Sequence, residues 1–343
     1  MLEASYYSRQ GEKIRCELCP QECRLQEGQT GVCGVRQVEA GRLLTTNYGL
    51  CAAQALDPVE KKPLYHFFPG WEILSIGTVG CNLHCSFCQN WSLARNETKQ
   101  GLQVFTPSKL LSLLRRQPAR GQLGVAYTYN EPTVWYEFVR EASALIQENG
   151  YRNVLVTNGL IKRQPLAELL PFIQALNVDV KAFREEFYRR QCRGRGFKEV
   201  LRTVEQALPD CHVELTYLLI PGLNDAPEEI SAFVSWVASL SREIPVHFSR
   251  YFPQYRLNLP PTPLDNLQRA WETAREKLDY VYLGNIQDEA YSSTYCPSCR
   301  QLLINRQGYY PQNVGLEGHS CKNCGHTIRL AGHIYGGGKT NNN

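Results

Sequence analysis

The stretch Ile73-Leu-Ser-Ile-Gly-Thr-Val-Gly-Cys81-Asn-Leu-His-Cys85-Ser-Phe87-Cys88-Gln-Asn-Trp91 decides how the rest of the chain is read. A β-rich run over residues 73–79 leads directly into three cysteines spaced Cys81-x3-Cys85-x2-Cys88. Thiolates are the usual ligands of iron–sulfur clusters, and three of them on a four-iron cluster leave one iron open to a small molecule. The short span entered through Gly80 suits a tight loop around one cluster. A zinc site or a set of core thiols competes for three cysteines taken alone. Their place after the first strand of a βα series weighs against both.

That series follows at once. Short β-rich runs alternate with longer segments of helical period. Strands are expected near residues 73–79, 125–129, 153–157, 178–181, 213–220 and 246–252, with one more near 281–286. Residues 133–149 carry Val134, Phe138, Ala142 and Leu145 on one helical face and stop at Gly150, a C′ residue in pattern. Two further helices open at Thr106-Pro107 and Thr262-Pro263, with Thr as cap and Pro in the first helical position. Strand–helix alternation of this kind builds a parallel sheet covered by helices. Six units are too few for a closed eight-stranded barrel. The expected fold is therefore α/β, a partial (β/α)6 barrel with its chemistry at the C-terminal strand ends.

The chain has 343 residues, 43% hydrophobic and 20% charged, which implies a sizeable core and excludes wholesale disorder. Thirty-seven basic against 33 acidic residues give a formal charge of +4, too small an excess to argue for nucleic acid. The sequence offers neither an apolar run of membrane-spanning length nor a signal peptide, so a cytoplasmic protein is expected. Fourteen cysteines in such a chain point to metal ligands or catalytic groups before disulfides.

Eleven of them fall into three clusters. Cys296-x2-Cys299-x21-Cys321-x2-Cys324 has zinc-ribbon spacing, with Pro297 and Gly325 favouring the turns and a closed four-thiolate site implying a structural zinc. Disulfides, or His319 or His326 in place of a cysteine, are the alternatives. Cys16-x2-Cys19-x3-Cys23-x9-Cys33 is less regular. It fits a second metal site, zinc or iron–sulfur, against a Cys16–Cys19 redox pair that no βαβ pattern surrounds. Cys51, Cys192 and Cys211 stand alone and read as small buried residues. Glu60, Lys61, Lys62 and His66 follow the first cluster, with His66 read as a hydrogen-bonded structural histidine rather than a proton carrier.

The spacing of Cys81, Cys85 and Cys88, with Phe87 before the last, resembles the cluster motif of the radical S-adenosylmethionine (SAM) superfamily. The resemblance implies a [4Fe–4S] cluster whose open iron binds SAM, one-electron cleavage to a 5′-deoxyadenosyl radical, and Phe87 near the adenine. Tyr127-Thr-Tyr129-Asn130-Glu131-Pro132 stands where that family has Gly-Gly-Glu-Pro, which places Asn130 and Glu131 beside the methionine amino group. Val156-Thr157-Asn158-Gly159 resembles a stretch lining the same pocket, and Leu219-Ile220-Pro221-Gly222 the turn closing the fifth strand. Asp179-Val-Lys181 resembles a motif of glycyl-radical activating enzymes whose lysine pairs with the methionine carboxylate.

Further runs narrow the resemblance to the radical SAM component of the AmmeMemoRadiSam system, a relative of pyruvate formate-lyase activating enzyme. They are Cys16-x2-Cys19-Pro20-x2-Cys23 with Gly31-Val-Cys33-Gly-Val-Arg36, the run from Asp57 to Gly70, Cys88-Gln-Asn-Trp91, Tyr129-Asn-Glu-Pro-Thr133 and His247-Phe-Ser-Arg250-Tyr-Phe-Pro253. Implied partners are a flavodoxin or ferredoxin reductant and Memo-like and AMMECR1-like proteins. The expected organisation is a Cys-rich segment over 1–70, a radical SAM core over 71–290, a ribbon over 291–335 and a disordered tail over 336–343. The leading function is hydrogen abstraction from an unidentified substrate after SAM cleavage. An activating enzyme acting on a partner protein, and a non-catalytic metal-dependent binding module, are the rivals.

Overall fold

The structure is a computed structural model and describes residues 1–97, 101–117 and 121–336. Its centre is an eight-stranded sheet whose strands follow one another in chain order: β1 Ala53–Pro58, β2 Glu72–Gly77, β3 Gln122–Tyr127, β4 Arg152–Thr157, β5 Ala175–Asp179, β6 His212–Leu219, β7 Val246–Arg250 and β8 Val281–Gly284. Strands β2 to β8 are parallel, with register pairs such as Val125↔Leu74, Leu176↔Val213 and Phe248↔Leu283. β3 is buried along its whole length, as a parallel strand covered on both faces must be. The six expected βα units and the seventh strand are all present.

β1 was not legible in the sequence. It pairs antiparallel with β2 through Ala53↔Gly77 to Pro58↔Glu72, so the sheet reaches back into the Cys-rich segment. Its residues, Ala-Gln-Ala-Leu-Asp-Pro, lack both β-branched side chains and strict alternation.

Helices α1 Pro107–Arg116, α2 Tyr136–Glu148, α3 Arg163–Leu169, α4 Phe197–Ala207, α5 Pro227–Leu240 and α6 Leu264–Arg275 lie between successive strands. Thr106 caps α1 as expected, accepting the Lys109 N–H at 3.1 Å, with Pro107 in the first position. Gly150, at φ +80°, takes the left-handed position after α2. The second expected Thr-Pro start is corrected. Pro263 itself is the cap of α6, and Thr262 is drawn inward, accepting the Tyr251 N–H at 3.0 Å and donating to the Leu219 carbonyl at 2.6 Å. Thr262 is fully buried, so tertiary contacts claimed the hydroxyl the helix would have used.

Two small antiparallel units flank the sheet. At the N-terminal side, Tyr7–Gln10, Lys13–Cys16 and Arg24–Leu25 form one three-stranded sheet, and Leu2–Glu3, Arg36–Glu39 and Arg42–Thr45 another. Arg36 anchors this unit to α2 through Glu137 at 2.5 Å, both side chains nearly free of solvent. At the C-terminal side, Thr294–Tyr295, Leu302–Gln307 and Tyr310–Asn313 form a sheet beside the pair Leu316–Glu317 and Ser320–Cys321. Its core (Cys296, Leu303, Ile304, Leu316, Cys321 and Ile328) is continuous with Tyr65, Tyr280 and Tyr282. Of the expected tail only Gly336 is described; residues 337–343 lie outside the described residues. Among the described residues no helix is long and apolar enough to cross a membrane.

Candidate functional site

Parallel strands send all their C-terminal ends to one edge, and there the chain places its chemistry. The loop after β2 carries Cys81, Cys85 and Cys88; the turn after β3 carries Asn130 and Glu131; Asn158 follows β4; Asp179 ends β5 and Lys181 follows it. All of these, with Phe87, line a single cavity of about 1480 Å³. The nine side chains that the sequence singled out for cluster and cofactor therefore meet.

Gly80 sets the entry of the cysteine loop. Its φ is +93°, and a Cβ there would lie 2.7 Å from the Cys33 carbonyl oxygen and from a Val35 methyl. Asn130 holds the loop from the side, accepting the Thr78 N–H at 3.0 Å and donating to the Gly80 carbonyl at 2.7 Å. Tyr129 occupies the glycine position of the resembled motif at φ +70°, a region costly for a bulky side chain. Its hydroxyl donates to Asp57 at 3.1 Å, and the Lys62 ammonium lies 5.1 Å from its ring centroid.

Glu131 is buried and fully used. One oxygen accepts from the Thr133 N–H at 3.0 Å and the Thr157 hydroxyl at 2.7 Å, and the other from the Asn158 N–H at 2.8 Å. Burial pushes its carboxyl above the usual range, and these donors oppose the shift. The side chains of Asn130 and Glu131 thus brace the strand ends. Asn158 donates to Asn82 at 2.8 Å and approaches the Cys81 sulfur at 3.8 Å, while the Leu83 N–H lies 3.4 Å from the same sulfur.

Lys181 is one of the cations lining the cavity. Burial disfavours its charge, yet Asp179 at 2.9 Å and the Cys85 thiol hold the ammonium above its ordinary pKa. In return Cys85 is lowered, first by a hydrogen bond from Cys192 and then, against burial, by Lys181. Cys192 is fully buried, as expected of a lone cysteine, but its thiol faces Cys85 and its carbonyl accepts the His84 N–H at 2.8 Å. No spacing in the sequence could have revealed that neighbour. Phe87 is buried with its ring 5.8 Å from that of Phe187.

The donor chemistry fits a four-iron cluster better than a single ion. Four thiolates about 2.3 Å from one tetrahedral zinc stand about 3.8 Å apart, whereas a cube spreads them over separate irons. Among the described residues only Cys296, Cys299, Cys321 and Cys324 form a group of three or more candidate ligands all within 4.8 Å of one another. Cys81, Cys85 and Cys88 open on the cavity at wider spacing.

A model of the Radical SAM superfamily matches residues 75–234, from β2 into α5. "Uncharacterized protein MJ0808" of Methanocaldococcus jannaschii is 38% identical over 338 residues, 96% of this chain and 99% of that one. The chain belongs to the radical SAM superfamily. It is accordingly an enzyme, in a family whose cofactors are a [4Fe–4S] cluster and SAM. GTP 3',8-cyclase of Limosilactobacillus fermentum is 24% identical over 269 residues, 67% of this chain and 74% of the cyclase. Pyruvate formate-lyase-activating enzyme of Clostridium pasteurianum is 26% identical over 170 residues, 47% of this chain and 67% of that enzyme.

In this radical SAM enzyme the cavity runs inward past Thr216, Ser249 and His247 to Glu60, Lys62 and Tyr65, and the C-terminal unit contributes Tyr309 to its wall. Beside it lies a buried network that motif reading does not join, because its members come from five separated segments. Glu214 accepts from His247 at 2.7 Å, His212 at 2.9 Å and the His66 N–H at 2.6 Å. His66 bridges the Arg329 carbonyl at 3.0 Å and the Tyr282 hydroxyl at 2.6 Å, and burial lowers its pKa to about 3. A neutral, doubly bonded ring is the structural role expected for it. Glu60 is the unusual acid: burial raises its carboxyl to about 7, and one oxygen has no partner.

Cys296, Cys299, Cys321 and Cys324 meet, with the Cys296–Cys324 and Cys299–Cys321 sulfurs each 3.6 Å apart. Those edges match a tetrahedral zinc site. His319 turns away to the Gly332 carbonyl at 2.8 Å.

Proposed function

We propose that this radical SAM enzyme holds a [4Fe–4S] cluster on Cys81, Cys85 and Cys88, cleaves SAM reductively, and directs the radical at a substrate held in the cavity below. The observation that carries this reading is the convergence of three thiols, a half-buried lysine and an aromatic side chain on one large cavity at the C-terminal strand ends. When bound, the cluster supplies one electron from a flavodoxin or ferredoxin, and SAM supplies the abstracting radical. Lys181 receives the methionine carboxylate, because a fixed cation is worth most where water is scarce. Phe87 packs against the adenine. Asn130, Glu131 and Asn158 hold the strand ends in register beside the methionine and leave the amino group to backbone oxygens. The walls of the cavity keep water from the reacting atoms.

The finer assignment is to the AmmeMemoRadiSam enzymes, with Memo-like and AMMECR1-like proteins acting in the same system. It rests on the Cys-rich ends and on the run from Asp57 to Gly70, which brings Glu60 and Lys62 to the cavity wall. A second reading, activation of a partner protein at a glycine, is favoured by the similarity to the Clostridium pasteurianum enzyme. The ribbon holds a structural zinc that fixes the C-terminal unit against β8.

Anaerobic reconstitution tests the central reading. With dithionite and SAM, the cluster-loaded enzyme produces 5′-deoxyadenosine, and the Cys85→Ala variant does not. A loaded enzyme that leaves SAM intact would overturn it.

A further inference from the structure

The N-terminal cysteines take no part in the site above, yet the structure sets them against it. Cys16 ends the strand Lys13–Cys16, and its N–H donates to the Cys23 carbonyl at 2.9 Å, closing a hairpin whose turn presents Cys19. Cys33 comes from the next turn, where a Cβ on Gly31 would make an ordinary van der Waals contact with the Cys23 sulfur at 3.5 Å. The Val32 N–H points at that sulfur at 3.4 Å. The four sulfurs thus come from two turns of one small fold and their flanks, with Cys16 and Cys19 buried and Cys23 and Cys33 half-buried.

Three features set these cysteines apart from a redox pair and from a single zinc site. The surroundings are antiparallel hairpins, not the βαβ unit of a thioredoxin-like redox pair. The ribbon four stand at zinc spacing, whereas Cys16, Cys19, Cys23 and Cys33 do not close to within 4.8 Å, the same behaviour as Cys81, Cys85 and Cys88. A buried donor also lacks an acceptor here: Nε of Arg36, 1% exposed and close enough for its charge to act on Cys33. Cluster sulfurs accept such N–H groups, and a cation beside a dianionic cluster offsets its charge.

The link to the first site is direct. The Cys81 N–H donates to the Cys33 carbonyl at 3.3 Å, and the His84 ring donates to the Val32 carbonyl at 2.8 Å. A ligand of one set is hydrogen-bonded through its backbone to a ligand of the other.

We infer that Cys16, Cys19, Cys23 and Cys33 hold a second, four-thiolate iron–sulfur cluster, electronically linked to the first through the Cys33–Cys81 hydrogen bond. The second cluster takes one electron from a low-potential flavodoxin- or ferredoxin-class donor. It is reoxidised by passing that electron to the first, so each transfer oxidises one cluster and reduces the other. With all four ligands from protein, it has no open iron and does not bind SAM. The link, though not the second site itself, rests on the function proposed above.

The test uses the full chain reconstituted with iron and sulfide, measured by metal analysis and electron paramagnetic resonance. The wild type is expected to hold about eight irons, and a Cys81→Ala/Cys85→Ala/Cys88→Ala variant about four, with a reduced signal that SAM does not alter. A Cys19→Ala/Cys23→Ala variant is expected to keep about four irons whose signal SAM does shift. In the fully reduced wild type the two signals are expected to broaden each other. Loss of all iron from the triple variant, or about one extra zinc in its place, would overturn the second cluster. Two sharp, independent signals would overturn the link. A wild type whose only iron survives in the triple variant would instead contradict the proposed function and leave the second cluster standing.

Discussion

Lys181 is the cation paired with Asp179 at the strand ends of the cavity. It is held charged against burial by Asp179 and Cys85, so its ammonium is already oriented before any carboxylate arrives. Replacing it by alanine removes a charge-assisted hydrogen bond worth about 1.5–3 kcal/mol. Lys181→Ala is expected to weaken SAM binding by about 10- to 100-fold at unchanged iron content, read by equilibrium binding under anaerobic conditions. Unchanged affinity would remove the lysine from the site. Glu60 makes a separate prediction. Its folded carboxyl titrates near 7 because it is buried, whereas in the unfolded chain it titrates near 4.3. Between those values the unfolded state has released the proton that the folded state retains, so this group's stabilising contribution falls as pH rises through the window and is constant above it. Glu60→Gln keeps the acceptor that Gly70 uses at 2.9 Å and is expected to flatten the decline of melting temperature between about pH 4.5 and 7. An unaltered profile would show that Glu60 ionises normally.

At the scale of elements, the loop after β2 is shaped by a neighbour rather than by itself. Gly80 is required by its positive φ and by the Cys33 carbonyl that would meet a Cβ at 2.7 Å. Gly80→Ala therefore strains the loop by about 1–3 kcal/mol and pushes the N-terminal hairpins off it. The expected outcome is a lowered melting temperature and reduced iron loading, with the circular dichroism of the sheet retained; full loading would show that the two units are independent. The same loop shows what sequence could deliver. The strands β2 to β8, the Thr106 cap, the Gly150 stop and the grouping of Cys81, Cys85 and Cys88 are written in local periodicity or spacing, whereas Phe87, Asn130, Glu131, Asn158, Asp179 and Lys181 were drawn from the family resemblance. β1 was not, since Ala53–Pro58 owes its strand to pairing with β2. Thr262 misled because its hydroxyl serves Tyr251 and Leu219 rather than its own helix. Cys192 and the Glu214 network depend on segments far apart in sequence, and no pattern joins them.

At the scale of the whole molecule, the two Cys-rich ends act as buttresses of one sheet. The C-terminal unit reaches the sheet through a buried chain of polar contacts. The Tyr282 hydroxyl meets Thr294 at 2.8 Å, and Arg306 donates to Thr294 at 2.7 Å and to the Tyr65 carbonyl at 2.7 Å with its guanidinium 4.4 Å from the Tyr65 ring centroid. The zinc proposed on Cys296, Cys299, Cys321 and Cys324 would stabilise this docked unit, whose Tyr309 lines the cavity together with Tyr65. Cys321→Ser is expected to lose about one zinc per chain and to lower the melting temperature by roughly 5 °C or more. The signals of the iron clusters would be unaffected. A variant that keeps its zinc, or loses it without melting earlier, would leave the ribbon without its structural role.

The account stands on an open iron beside Lys181 that takes the methionine end of SAM. Electron–nuclear double resonance on the reduced, reconstituted enzyme, with SAM carrying 17O in its carboxylate and 15N in its amino group, reads that contact directly. Hyperfine coupling of both labels to the cluster is predicted; a cluster signal with neither coupling, at SAM concentrations that saturate binding, would contradict it.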